Sequence, residues 1–191
     1  ADSGTIQYSK DGKTVELSRM REPARTVFRR ENIGIVFQQH CLVPDLTVYE
    51  NILLPAMLRK KQKGPGRDAI LGLCRQFGLQ GHAHKYPSQL SGGQQQRAAI
   101  LRAVVNKPPL LLCDEPTGSL NSAQSGAVMD LLQELNRNGQ AIVLVTHDVK
   151  VAAKGGRVLY IQDGHAAGEL KLPGGKGRED ALSGFLQQRG W

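Results

Sequence analysis

Leu110-Leu111-Leu112-Cys113-Asp114-Glu115-Pro116-Thr117 decides the fold. Four apolar residues make a run of buried-strand size, and they deliver two adjacent carboxylates before Pro116 starts a turn. Two similar runs flank it, Ile33-Gly34-Ile35-Val36-Phe37 upstream and Ala141-Ile142-Val143-Leu144-Val145 downstream. Stretches with helical spacing lie between them. This alternation predicts an α/β fold, a mostly parallel sheet with flanking helices. In open sheets of that kind ligands bind beyond the carboxyl ends of the strands. Gln38, Asp114-Glu115 and Thr146-His147 stand at those three ends.

The remaining elements follow from local signals. Gly4 to Leu17 alternates around Asp11-Gly12, which reads as a hairpin. Arg19 to Arg30 is helix-compatible with Pro23 in a first turn. Thr47 with Glu50 three residues on marks a capping box, and predicts a helix over Val48 to Lys61 that Gly64-Pro65-Gly66 breaks. Asp68 to Phe77 carries Ile70, Leu71, Cys74 and Phe77 at helical spacing. Ser91 caps a helix to about Asn106, and Gln124 to Asn138 forms another that Gly139 stops. Lys150 to Lys154 is a short helix, and Arg157 to Gln162 with His165 to Leu172 makes a hairpin around Asp163-Gly164.

Composition narrows the class. The chain has 191 residues, 40% hydrophobic, with a formal net charge of +8. That apolar content builds a core and excludes general disorder. No apolar run reaches the ~18 residues of a membrane-spanning helix, and no charged-then-apolar leader is visible. Cys41, Cys74 and Cys113 are scattered with no CxxC pair, so they read as reduced thiols of a cytosolic protein. Basic residues crowd two blocks, Arg19 to Arg30 and Arg59 to Arg67. They fit solvated helix faces, or a nucleic-acid or anionic-membrane footprint. Aromatics are 5% of the chain and none interleave with the second block, which argues against a base-stacking single-strand binder.

Three groups carry candidate chemistry. At the end of the decisive strand, one carboxylate can hold Mg²⁺ and its neighbour can orient an attacking water. Leu90-Ser91-Gly92-Gly93-Gln94-Gln95-Gln96-Arg97 opens a helix with two glycines, which cost about 1 kcal/mol each in a helix interior. That cost points to close backbone approach, at a helix end suited to an anion. His147 can donate a hydrogen bond to a phosphate oxygen. Taken singly, His147 and Gln38 read as ordinary structural residues.

Taken in order, Gln38, Leu90-Ser91-Gly92-Gly93-Gln94, Leu112 to Thr117, Ser119-Leu120-Asn121 and Thr146-His147-Asp148 resemble the nucleotide-binding domain of ATP-binding-cassette (ABC) transporters, from about Ser3 to Gly164. The resemblance implies a P-loop NTPase of ABC type and an ATPase using ATP and Mg²⁺. Asp114 and Gln38 would then serve the metal, Glu115 would be the catalytic base and His147 the γ-phosphate switch. Ser91, Gly92, Gly93 and Gln94 would be the signature closing on ATP held by a second subunit, with Gln38 also touching nucleotide. Ser119, Leu120 and Asn121 would communicate across that dimer. Residues 48–89 would be a helical subdomain within a single domain of 1–191, with residues 165–191 as C-terminal hairpin and tail.

The chain departs from the family pattern twice. Asn121 stands where the family usually has Asp. GxxxxGK[ST] is absent: five residues before Gly12-Lys13 stands Gln7, and before Gly175-Lys176 Leu170. The Walker A strand and helix are therefore missing, and we expect Ala1 to be a cut edge of a longer cassette. The run Phe37-Gln38-Gln39 with Leu42 to Asn51 resembles the lipoprotein-release, macrolide-efflux and antimicrobial-peptide-resistance group. That implies a peripheral subunit on the cytoplasmic face of the cell membrane. Its partners would be an integral membrane permease and a second ATPase subunit, moving an amphipathic peptide, lipoprotein or macrolide-like substrate, with no nucleic-acid partner. The alternatives carried by the sequence are an ABC-type ATPase acting on nucleic acid or the ribosome, and a non-hydrolytic scaffold.

Overall fold

The computed structural model describes residues 4–59 and 65–190. β1 (Gln7–Lys10) and β2 (Lys13–Glu16) form an antiparallel hairpin. Asp11 and Gly12 turn it with φ of 50° and 73°, the two left-handed residues that a two-residue turn requires. α1 (Glu22–Asn32) places Pro23 in its first turn, where the missing N–H has no partner to lose. Its basic face is partly neutralised, because Glu22 holds both Arg25 and Arg29. The Arg29 guanidinium in particular keeps the Glu22 carboxyl below the usual range. Much of the second basic block, Lys60 to Lys63, lies outside the described residues.

β3 (Ile33–Val36) leads through a loop to α2 (Val48–Met57), which the Thr47–Glu50 capping box opens as expected. α2 ends at Met57, earlier than the sequence predicts. Pro55 removes a ladder bond near its end, and Arg59 N turns back to Ala56 O at 3.2 Å. α3 (Arg67–Gln76) and α4 (Gly92–Val104) follow, then β4 (Leu110–Asp114). α5 (Ser122–Arg137), β5 (Ala141–Val145) and the short α6 (Val149–Ala152) come next. β6 (Arg157–Gln162) and β7 (His165–Lys171) pair around Asp163-Gly164. α7 (Arg178–Gln187) follows, within the stretch that the sequence marks only as a tail. Its Leu182 and Leu186, one turn apart, are buried with Ala153 in a small second core.

The central sheet has the order β3-β4-β5, all parallel. Side chains alternate across it. Gly34, Val36, Leu111 and Cys113 are buried on one face under a core built with Ile52, Ile100, Leu101, Val128 and Leu132 from α2, α4 and α5. Burial in that core pushes the Cys113 thiol up to about 12, so it is a neutral apolar filler. The opposite face carries Ile35, Leu112, Val143 and Val145 in register, and it is open: Ile35 is 37%, Val143 52% and Val145 58% exposed. Asp114 pairs with Val145 and shares the parity of Leu112, so its carboxylate rises from the upper edge of this open face.

Candidate functional site

Three strand ends assemble the site. Glu115 follows β4 in a left-handed conformation, φ 45°, while its N–H donates to Val145 O at 2.9 Å across to β5. That twist turns its side chain toward the residues after β5. Glu115 Oε1 accepts from the His147 backbone N–H at 2.9 Å and meets His147 Nδ1 at 2.7 Å. Thr146 Oγ1 lies 3.2 Å from Glu115 Oε2 and accepts from Asp148 N at 3.0 Å. A carboxylate oxygen accepts, so Thr146 gives its one hydroxyl proton to Glu115. Three donors therefore fix one carboxylate. The Glu115 side chain is 18% exposed and the His147 ring 81%, so the pair presents imidazole Nε2 outward. With Nδ1 donating to Glu115, Nε2 can donate as well only when the ring carries both protons.

Gln38 leaves β3 at the same end. Its carbonyl accepts from Ser119 Oγ at 3.3 Å, and its carboxamide lies against Gly118, where a Cβ would come within 2.7 Å of Nε2. A side chain at 118 would have to displace the end of the Gln38 carboxamide. Asn121 caps α5, its Oδ1 accepting from Gln124 N at 3.0 Å.

Ser91 opens α4 with a capping box that the sequence reading saw only in part. Ser91 Oγ accepts from Gln94 N at 3.4 Å, and Gln94 Oε1 accepts from Ser91 N at 2.9 Å. The other end of the Gln94 amide, Nε2, meets His82 Nε2 at 3.2 Å. Both glycines have an internal reason besides any ligand. A Cβ on Gly92 would come within 3.3 Å of Leu120 Cδ2, and one on Gly93 within 3.1 Å of Gln124 Cγ. The turn at Ser91 to Gln94 thus packs against Leu120 and Gln124. Among the described residues no hydrogen bond or ion pair joins Ser91 to Gln94 with Glu115 or His147.

Two residues with no role in the sequence reading stand out by burial. Asn51 is fully buried: its Oδ1 accepts from Val43 N at 2.8 Å while Nδ2 donates to Val43 O, Leu46 O and Thr47 O. Gln96 is fully buried below the residues after β3. A polar residue in the apolar stripe of α2 or α4 is the signal that marks each.

Comparison with known proteins agrees with this geometry. The sequence family described as ABC transporter matches residues 1–118. The macrolide export ATP-binding/permease protein MacB of Escherichia coli is 41% identical over 157 residues, covering 82% of this chain and 24% of that protein. MacB of Sodalis glossinidius is 38% identical over 156 residues, with the same coverage of both. The chain thus spans about a quarter of the length of these relatives. The ATP-binding cassette MJ0796, in a dimeric post-hydrolysis state with ADP and Pi, superposes with a TM-score of 0.76 at 39% identity, covering 88% of this chain and 74% of that one. A second dimeric structure of MJ0796, a bacterial ABC transporter cassette, gives 0.74 at 41% identity, covering 83% and 71%. With the family model, the strand order and the solved cassettes in agreement, the chain belongs to the ABC transporter family and has the α/β fold of its nucleotide-binding cassettes.

Proposed function

We propose that this cassette binds and hydrolyses Mg²⁺-ATP, with two copies closing head to tail, to power a membrane permease. The observation that carries the reading is the Glu115 carboxylate, held by His147 and Thr146 next to Asp114 at the strand ends. A carboxylate fixed by three donors is pre-oriented to position water and to take its proton, the role of a general base. His147 then turns Nε2 outward, and a ring carrying both protons would donate from it to a phosphate oxygen. Ser91 to Gln94 make no bond to this pair within the chain, which favours their service to nucleotide on another subunit, and the solved cassettes alike in fold are described as dimeric. Ser119, Leu120 and Asn121 link the two parts, touching Gln38, Gly92 and α5 in turn.

The donor set fits Mg²⁺. Asp114 and Gln38 offer oxygen atoms, the donors a hard cation takes, and two protein oxygens leave positions for phosphate oxygens and water. Among the described residues no group of three or more His, Cys, Asp or Glu could hold a metal by itself. Bound there, Mg²⁺ supplies charge neutralisation at the phosphates. None of the 191 residues forms a GxxxxGK[ST] cradle. We infer that hydrolysis needs such a cradle supplied beside Asp114 and Glu115.

The MacB relatives are named for macrolide export. With Gln38 and residues 48–89 as the side that meets the permease, we infer export or extraction of an amphipathic substrate from the cytoplasmic face of the membrane. No helix among the described residues is long and apolar enough to cross a membrane.

Glu115→Gln in the full gene product tests the reading. It should lower kcat by about 100-fold or more, since a positioned general base contributes 10²–10⁴. ATP binding should survive, and an ATP-dependent dimer should persist on size-exclusion chromatography. Equal turnover in the two proteins would refute the role given to Glu115.

A further inference from the structure

Gln96 sits on α4 two residues beyond the signature turn, and its side chain is fully buried. A buried carboxamide must be paired at both ends. Its Nε2 donates to Phe37 O at 3.3 Å, and its Oε1 faces His40 Nδ1. Because the amide nitrogen is committed to a carbonyl, the oxygen is the end that meets the ring, and His40 Nδ1 must be the donor. Phe37 O also accepts from His40 N at 3.2 Å. Gln96 therefore closes a ring of hydrogen bonds around residues 37–40, the turn that contains Gln38.

Arg102, further along the same helix, closes the other side. Its Nη2 donates to His40 O at 2.9 Å and Nη1 to Cys41 O at 2.5 Å. His40 and Cys41 have φ of 59° and 49°, two consecutive non-glycine residues in the left-handed region. Such geometry persists only where its surroundings enforce it. The enforcing groups belong to α4, so the helix that presents Ser91 to Gln94 also sets the backbone that presents Gln38. Gln38 is otherwise tied to Ser119 and Gly118, so its position is fixed from two sides.

We propose that Gln96 is a positioning residue: a buried strut through which α4 couples the signature turn to Gln38. This rests on the ATPase reading above and deepens it by naming the part that links two of its elements. Movement of α4 when the signature engages nucleotide is passed to Gln38 through the Gln96 amide, and binding at Gln38 is felt at the signature by the same factor. The strut acts through hydrogen-bond geometry, so an apolar side chain of the same length does not replace it.

The test is a double-mutant cycle on the full gene product, reading kcat, KM for ATP and the Mg²⁺ concentration for half-maximal turnover. Gln96→Met should lower kcat about tenfold and raise the Mg²⁺ requirement, with KM for ATP little changed; in a Gln38→Ala background the same change should lower kcat less than about twofold, the non-additivity of two residues acting as a unit. An equal fold-loss in both backgrounds overturns the proposal. Thermal melting accompanies each variant. If Gln96→Met fails to fold, His40→Ala, at a half-buried position that leaves the Phe37 bond of Gln96 intact, decides. It should show the same selective, Gln38-dependent loss, and unchanged kcat and Mg²⁺ dependence overturn the proposal. A wild-type protein that does not hydrolyse ATP would overturn the ATPase reading itself, a result distinct from additive losses in an active enzyme.

Discussion

Glu115 stands at φ 45°, a conformation that costs a non-glycine residue about 1–3 kcal/mol. The surrounding bonds offset that cost, and they also aim the carboxylate. Thr146 is the least conspicuous of them. Its single proton goes to Glu115 Oε2, because a carboxylate oxygen accepts, while the hydroxyl oxygen accepts from Asp148 N. Thr146→Val keeps shape and removes that proton. We expect kcat to fall about tenfold with KM for ATP little changed, as when an interaction made in the transition state is lost. Thr146→Ser restores the hydroxyl and should recover kcat to within about twofold. Steady-state kinetics of the three proteins settles it, and equal kcat for the Val and Ser variants would remove the hydroxyl from the mechanism. At this scale much of the site is legible in the sequence, because acidic and amide residues directly after apolar runs have to emerge at strand ends. Gln96 and Asn51 are not legible as functional, because a glutamine or asparagine in a helix looks the same in one dimension whether it faces water or a buried carbonyl.

Elements were readable wherever a local rule acts alone. Asp11-Gly12 and Asp163-Gly164 turn hairpins, Thr47 with Glu50 caps α2, and Gly139 at φ 91° follows the end of α5. The sequence misleads where two rules compete, as at Pro55, where helical periodicity runs on past a residue that cannot donate. Gly34 shows what a one-residue signal can hide. Within an otherwise β-branched strand a glycine reads as a weakness, yet here it lets β3 lie against α4. A Cβ would come within 2.5 Å of Ala103 O, 3.0 Å of Leu111 Cδ1 and 3.1 Å of Pro108 Cγ. The first of these is backbone and cannot rotate away. Gly34→Ala should therefore destabilise the fold by about 1–3 kcal/mol, the usual cost of overpacking a core. Urea unfolding reads this directly, and a neutral or stabilising result would mean that α4 packs less tightly on β3 than the structure shows.

The whole molecule places its helices unevenly. α2, α4 and α5 bury one face of the β3-β4-β5 sheet, while Ile35, Phe37, Val143 and Val145 lie open on the other. Among the described residues β3 and β5 each pair only with β4, so both outer strands also present unpaired backbone. The sequence foretold an apolar sheet, but its pattern is the same whether one face or two are covered, since buried parallel strands read as continuous apolar runs. Contiguous exposed apolar surface beside open strand edges drives association. A polypeptide of these 191 residues should accordingly self-associate, with weight-average mass rising with concentration in sedimentation equilibrium. Val143→Lys with Val145→Lys places two charges at 52% and 58% exposed positions without touching the buried face. This pair should shift the protein toward monomer. Ala123→Lys with Ala127→Lys, on the exposed side of α5, adds the same charge elsewhere and should leave association unchanged. If both pairs dissolve the assembly equally, net charge governs it and the sheet face does not; if the parent chain is monomeric at every concentration, the open face is not sticky and some other contact shields it.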